Sequence, residues 1–107
     1  MFTRAVELRA KPGKTNELCR TASDMVLPIL RDQQGFKDEV VLVSNTDANR
    51  VLAISFWNSR EDAERYQREE FARVNELIKN LCEGAAHVET YDVNTSIAHH
   101  INLGKAA

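Results

Sequence analysis

The chain predicts an α+β fold with the element order βαββαβ, the ferredoxin-like arrangement in which an antiparallel sheet carries its helices on one face. Three observations in the 107 residues predict it. Four short stretches are either apolar on alternate positions or apolar throughout, the signature of strands. Two longer stretches repeat their apolar residues every three or four positions, as helices do. Glycine, proline and short polar runs separate them where the period changes.

Phe2 to Ala10 is the first strand, with Phe2, Arg4, Val6, Leu8 and Ala10 on one face and Thr3, Ala5, Glu7 and Arg9 on the other. Pro12-Gly13 ends it, because proline lacks a donor and glycine accepts turn geometry. Lys14 to Gln34 reads as a helix whose buried stripe is Leu18, Ala22, Met25 and Ile29. Pro28 inside that pattern removes a backbone bond and crowds the preceding turn, so a kink or break is expected there, with room for a cavity beneath. Gly35 is the natural left-handed terminator. Phe36 to Val43 is the second strand, and Ser44 to Arg50 is a polar turn joining it to the third as a long hairpin.

The segment from Val51 to Tyr66 carries the strongest local signal. An apolar strand, Val51 to Trp57, switches at Asn58-Ser59 into a charged helix starting near Arg60. Ser59 with Asp62 approximates a capping box, and Glu61 and Asp62 suit the positive end of the helix dipole. Pairs Glu61–Arg65, Glu64–Arg68 and Glu69–Arg73 at four-residue spacing are expected along its solvated side. The polar run Gln67 to Glu70 implies a bend before the core stripe Phe71, Val74, Ile78 and Leu81. Gly84 caps the end. Ala86 to Thr95 is the last strand, with His87, Glu89, Tyr91 and Val93 on one face, and residues 96–107 form a tail that either extends this strand or contacts a partner subunit.

Strands two and three are apolar on both faces, whereas an exposed sheet face should alternate to polar residues. Val41 and Val43 lie on the face opposite Val40 and Leu42, and Leu52, Ile54 and Phe56 on the face opposite Val51, Ala53 and Trp57. Covering only one face leaves about four or five large apolar groups in water, at roughly 1.5–3 kcal/mol each. A second copy packed sheet to sheet is therefore expected, giving a homodimer.

Composition bounds the rest. A net charge of -2 with 28% charged residues gives no reason to expect nucleic acid or an anionic membrane as partner. No apolar run reaches the roughly 18 residues that span a bilayer, and the N-terminus lacks a signal peptide's apolar segment, so a cytoplasmic location is expected. Cys19 and Cys82 stand 63 positions apart without histidines at ligand spacing, which predicts no metal site and, in a reducing compartment, no disulfide.

The run Phe56-Trp57-Asn58-Ser59-Arg60-Glu61-Asp62-Ala63 with Tyr66 beyond it resembles the antibiotic biosynthesis monooxygenase domain. So do Gly35-Phe36 after a proline-broken helix, Phe71 after a bent one, and Tyr91-Asp92-Val93 in the last strand. The resemblance covers roughly residues 2 to 95 and implies a dimeric α+β barrel. One branch of that family degrades haem with a strand Asn, a helix Trp and an axial His; the matching positions here are Val6, Tyr66 and Asn75, so haem degradation is disfavoured. A second branch oxidises phenols, anthrones or quinols without metal or flavin, by controlling substrate ionisation in a dry pocket. A third isomerises or binds small polar metabolites.

The resemblance thus implies a cofactor-independent monooxygenase of a small phenolic or quinol-type aromatic, with a non-catalytic small-molecule-binding or structural dimer, or an isomerase, as alternatives. Tyr66 and Arg4 would hold the substrate anion, unless Tyr66 merely closes the gap between helix and sheet and Arg4 reaches solvent. His87 would be the base, unless the start of the last strand leaves it exposed. Trp57, Asn75 and Phe71 would line the pocket, against a core or interface role for Trp57 and a solvent-facing one for Asn75. His99-His100, without a neighbouring carboxylate or cysteine, reads as a surface pair. A closed apolar pocket of several hundred Å³ between sheet and helices, with a His or Arg pointing inward, would favour catalysis, and a cavity filled by Trp57 and Tyr66 themselves would count against it.

Overall fold

The computed structural model of the protein describes residues 1–95; the expectations for the tail, including His99 and His100, lie outside the described residues. The strands are β1 (Phe2–Arg9), β2 (Phe36–Val43), β3 (Arg50–Trp57) and β4 (His87–Asp92). They form one antiparallel sheet in the order β2-β3-β1-β4, with the helices packed on one face. The architecture is the ferredoxin-like α+β fold that the residue pattern predicts, with β4 shorter at both ends than expected.

Register decides which side chains share a face, because directly opposed residues in antiparallel strands point the same way. On the helix-covered face one row reads Glu39, Ser55, Arg4, Thr90 across the four strands. The next reads Val41, Ala53, Val6, Val88, so a polar row borders an apolar floor. The uncovered face carries Val40, Leu42, Leu52, Ile54 and Phe56 at the β2–β3 side, with Leu42 46% exposed, and Glu7, His87, Glu89 and Tyr91 at the β1–β4 side. Both faces of strands two and three are apolar, as the sequence implies.

The first helical region is not one helix. It runs as α1 (Thr15–Thr21), a π-helical turn over Ala22–Val26, and α2 (Leu27–Arg31), with the Leu27 N–H donating to the Ala22 carbonyl across the wider ring. The expected stripe is corrected here: Met25 is 50% exposed, while Val26 and Leu30 are buried with Leu18. A π turn takes more than four residues, so the next inward position after Ala22 is four residues on rather than three. The distortion sits immediately before Pro28, whose missing N–H and ring disrupt the regular ladder.

The second region is α3 (Arg60–Glu69), a break at Glu70, and α4 (Phe71–Ile78), continued by a 3-10 turn over Lys79–Leu81. Ser59 caps α3: its Oγ accepts from the Asp62 N–H at 3.2 Å and donates to the Asp62 carboxylate at 3.0 Å. The expected four-residue ion pairs are replaced by three-residue ones, Asp62–Arg65, Glu70–Arg73 and Glu76–Lys79. The break at Glu70 takes Glu69 out of helical phase with Arg73, which turns to Glu70 instead. Gly35, at φ 83°, joins α2 to β2 and accepts from the Asn58 N–H at 2.8 Å. A Cβ here would overlap the Asp62 carboxylate, so the start of β2 and the cap of α3 are locked together through this glycine.

Candidate functional site

Arg4 is the centre of the buried chemistry. β1 is an interior strand, and the alternation that points Phe2, Val6 and Leu8 at the helices points Arg4 there too, leaving it 3% exposed. A buried guanidinium needs compensation. It lies 5.0 Å from the Tyr66 ring centre and 4.9 Å from that of Phe71, and it donates to the Gln67 side-chain oxygen. The break at Glu70 lets α3 present Tyr66 and Gln67, and α4 present Phe71, to the same cation. Burial lowers the affinity of Arg4 for its proton, with Tyr66 and Glu39 opposing the shift; a guanidinium stays charged through such perturbations.

Tyr66 is buried, and desolvation chiefly pushes its phenol up to about 12, so it is neutral and can donate near pH 7. Behind it, Trp57 is 0% exposed, 5.2 Å from the Tyr66 ring and 5.6 Å from Phe36, with its indole N–H donating to Ser55 Oγ at 2.9 Å.

Between this row and the helices lies a cavity of about 50 Å³, floored by Arg4, Ser55, Glu39 and the apolar row beside them. Leu18, Ala22 and Val26 close it from the first helical region, the last two belonging to the π turn. Tyr66, Phe71 and Ile78 close it from the second. On the other side of Arg4 a shallower apolar cleft of about 150 Å³ lies between α3 and the β1–β4 edge. At about 50 Å³ the interior cavity is the size of a few water molecules, short of the several hundred Å³ that aromatic ligands ordinarily occupy. A wider hollow of about 570 Å³ on the uncovered face is a concavity of the sheet itself.

Of the six residues singled out in the sequence, the structure brings together Arg4, Tyr66 and Phe71 around the cavity. Trp57 supports Tyr66 from behind without lining the space, and half-buried Asn75 on α4 does not line it either. His87 is on the uncovered face with its side chain 68% exposed, 3.0 Å from Glu89, across the sheet from the other three. Glu39 was not singled out. Half-buried, it is one of the residues that line the cavity, and desolvation chiefly, with Asp38 adding to it and Arg4 opposing, raises its carboxyl to about 7. The signal was present: by strand parity Glu39 shares a face with Val41 and Val43, a lone carboxylate on an apolar side.

Among the described residues no group of three or more His, Cys, Asp or Glu is placed to hold a metal ion, and no helix is long and apolar enough to cross a membrane. The fold is shared with solved structures. A monooxygenase encoded by ActVA-Orf6 of Streptomyces coelicolor, in complex with nanaomycin D, aligns with a TM-score of 0.78 at 19% identity over 90% of this chain and 89% of that one. A Nitrosomonas europaea protein of unknown function aligns at 0.74 and 14% identity, covering 90% and 91%. One from Shewanella oneidensis aligns at 0.68 and 21%, covering 84% and 87%. Among curated proteins none matches this sequence. The family model described as antibiotic biosynthesis monooxygenase matches residues 1–77, which contain every residue of the cavity except Ile78. By that match over most of its length, with the sheet and helices to go with it, the chain belongs to the antibiotic biosynthesis monooxygenase family.

Proposed function

We propose that the protein is a cofactor-independent monooxygenase of a small phenolic or quinol-type aromatic, bound between the sheet and the helices. The observation that carries this reading is the Arg4 guanidinium, buried between the Tyr66 and Phe71 rings at the edge of an apolar cavity. A fixed cation in a dry site favours the ionised form of a bound phenol, and an electron-rich aryl oxide is what reduces dioxygen. Arg4 holds the aryl oxygen and Tyr66 donates a hydrogen bond to it, while Phe71 packs on the ring. For a monophenol the balance is phenol plus dioxygen giving quinone plus water. One oxygen atom enters the ring, and the other leaves with the hydrogens of the O–H and the ring C–H. Support from similarity is the S. coelicolor structure, described as a monooxygenase and holding a ligand.

The same reading places the protein as a homodimer in which the uncovered sheet face meets a second copy. A cytoplasmic setting fits its free thiols, Cys19 and Cys82. The small cavity favours a second reading, a non-catalytic binding dimer, because it admits an aromatic only if its walls part. Oxygen uptake with a panel of anthrones, naphthols and quinols after metal removal decides between them. The expected result is consumption well above the uncatalysed rate, and lower in Arg4→Met. Binding without consumption across the panel overturns the oxygenase reading.

A further inference from the structure

We infer that Glu39 is the group that takes the substrate's phenolic proton, in the place where the sequence suggested His87. This rests on the proposed function, and it is argued from the sheet. Glu39 stands in the same cross-strand row as Arg4, with Ser55 between them, so the carboxylate and the guanidinium face one cavity from two strands. Among the described residues it has no salt-bridge partner, and no donor hydrogen-bonds its carboxylate. Glu39 is half-buried, and its carboxylate keeps some contact with solvent while lining the space beside Arg4. It is left without a protein partner in a space whose other polar groups are the Arg4 cation and the Ser55 and Tyr66 hydroxyls. An aryl O–H seated there has its acceptor on one side and the charge that stabilises its anion on the other.

The step balances without a redox change. The substrate O–H bond breaks, its electron pair stays on the aryl oxygen beside Arg4, and the proton forms an O–H bond on Glu39. When dioxygen has added to the ring and the O–O bond breaks, the departing hydroxide takes that proton and leaves as water. The titratable and charged groups around Glu39 are Arg4 on β1, Asp38 on β2, Tyr66 on α3 and Cys19 on α1. Burial holds its affinity for a proton near neutrality, where a base both is deprotonated and accepts well.

The test uses 4-nitrophenol near pH 8, where it is an anion in solution. Calorimetric binding in buffers of different ionisation enthalpy counts the protons that accompany it. The expected result is uptake of about one proton by the wild-type protein, since the anion beside Arg4 leaves Glu39 protonated, and none by Glu39→Gln. Where a phenol of the oxygen-uptake panel turns over, the acid limb of its kcat/KM profile near pH 7 disappears in Glu39→Gln, with a loss of roughly 10²- to 10⁴-fold. Proton uptake without oxygen consumption leaves Glu39 as the acceptor and removes the oxygenase reading. Binding with no proton uptake by the wild type, or equal uptake by Glu39→Gln, overturns the inference while oxygen consumption still stands. Failure of the wild type to bind 4-nitrophenol or any panel phenol overturns both.

Discussion

Arg4 and Glu39 show how one position in a strand acquires chemistry. Arg4 is carried inward because Phe2 and Val6 at i±2 are, and Glu39 follows the inward side of β2 with Val41 at i+2. The cost is visible in Glu39. Its carboxyl stands at about 7 in the folded protein against 4.5 for an unperturbed glutamate, so the native state binds more protons than the unfolded one between those values. Stability from this group is therefore full below about 4.5 and is lost as pH rises through about 7. Glu39→Gln, isosteric and uncharged, should be more stable than the wild type at pH 8 by about 1–2 kcal/mol, after allowance for the solvent that still reaches the carboxylate. That gain should vanish near pH 4.5; urea unfolding at the two pH values checks it, and equal gains at both would contradict it. Arg4 was legible in the sequence because its face could be counted from Phe2. Glu39 is harder to read from sequence than His87, since an imidazole is the side chain whose unperturbed titration lies near neutrality and a carboxylate comes to the same place only through burial. Parity in β4 puts His87 with Glu89 and Tyr91, but which of the two β4 faces the helices cover depends on its pairing with β1.

At the scale of elements, what the sequence made legible were those whose cause is local. The Ser59 cap, the break between Tyr66 and Phe71, and the left-handed Gly35 all follow from residue types within a few positions. Gly35 adds something non-local: a side chain here would meet the Asp62 carboxylate, which accepts from the Ser59 hydroxyl that caps α3. Gly35→Ala should destabilise by roughly 2–3 kcal/mol, part from the left-handed backbone and part from the overlap with Asp62. In an Asp62→Gly background, which also removes the Cβ that would lie 2.7 Å from the new one, the same substitution should cost only about 1–2 kcal/mol, the backbone share. A double-mutant cycle by urea denaturation measures the difference, and additivity within 0.5 kcal/mol would show that the overlap relaxes freely. The π turn was not legible in the same way. Pro28 announces a distortion, but whether a helix kinks, breaks or widens depends on which apolar side chains the sheet then receives. Here widening delivers Val26 and Leu30.

For the whole molecule, the element order was legible because six periodic segments and their punctuation admit few topologies. The proposed second copy rests on a demand for cover that the sequence already makes, since Val40 and Leu42 remain exposed beside Leu52, Ile54 and Phe56. Sedimentation at micromolar concentration should give twice 12.1 kDa. Leu42→Glu combined with Ile54→Lys should shift it to a single chain while the far-ultraviolet spectrum is kept, because neither side chain serves the helix-covered core. A single chain for the wild type would remove the dimer. The volume of the interior cavity could not be read from the sequence at all, since it is a small difference between large packed volumes.

The π turn borders that cavity through Ala22 and Val26, and Pro28 just beyond it offers no N–H to the carbonyls behind. A wall with fewer backbone bonds is the one that yields first. On the proposed reading, time then becomes part of recognition: a guest ring would wait for the wall. In stopped-flow mixing the observed rate of 4-nitrophenol binding should level off with concentration at the rate of that opening, and Pro28→Ala, which returns a donor to the turn, should lower the plateau. A rate that climbs linearly to millimolar ligand would mean that the door already stands open.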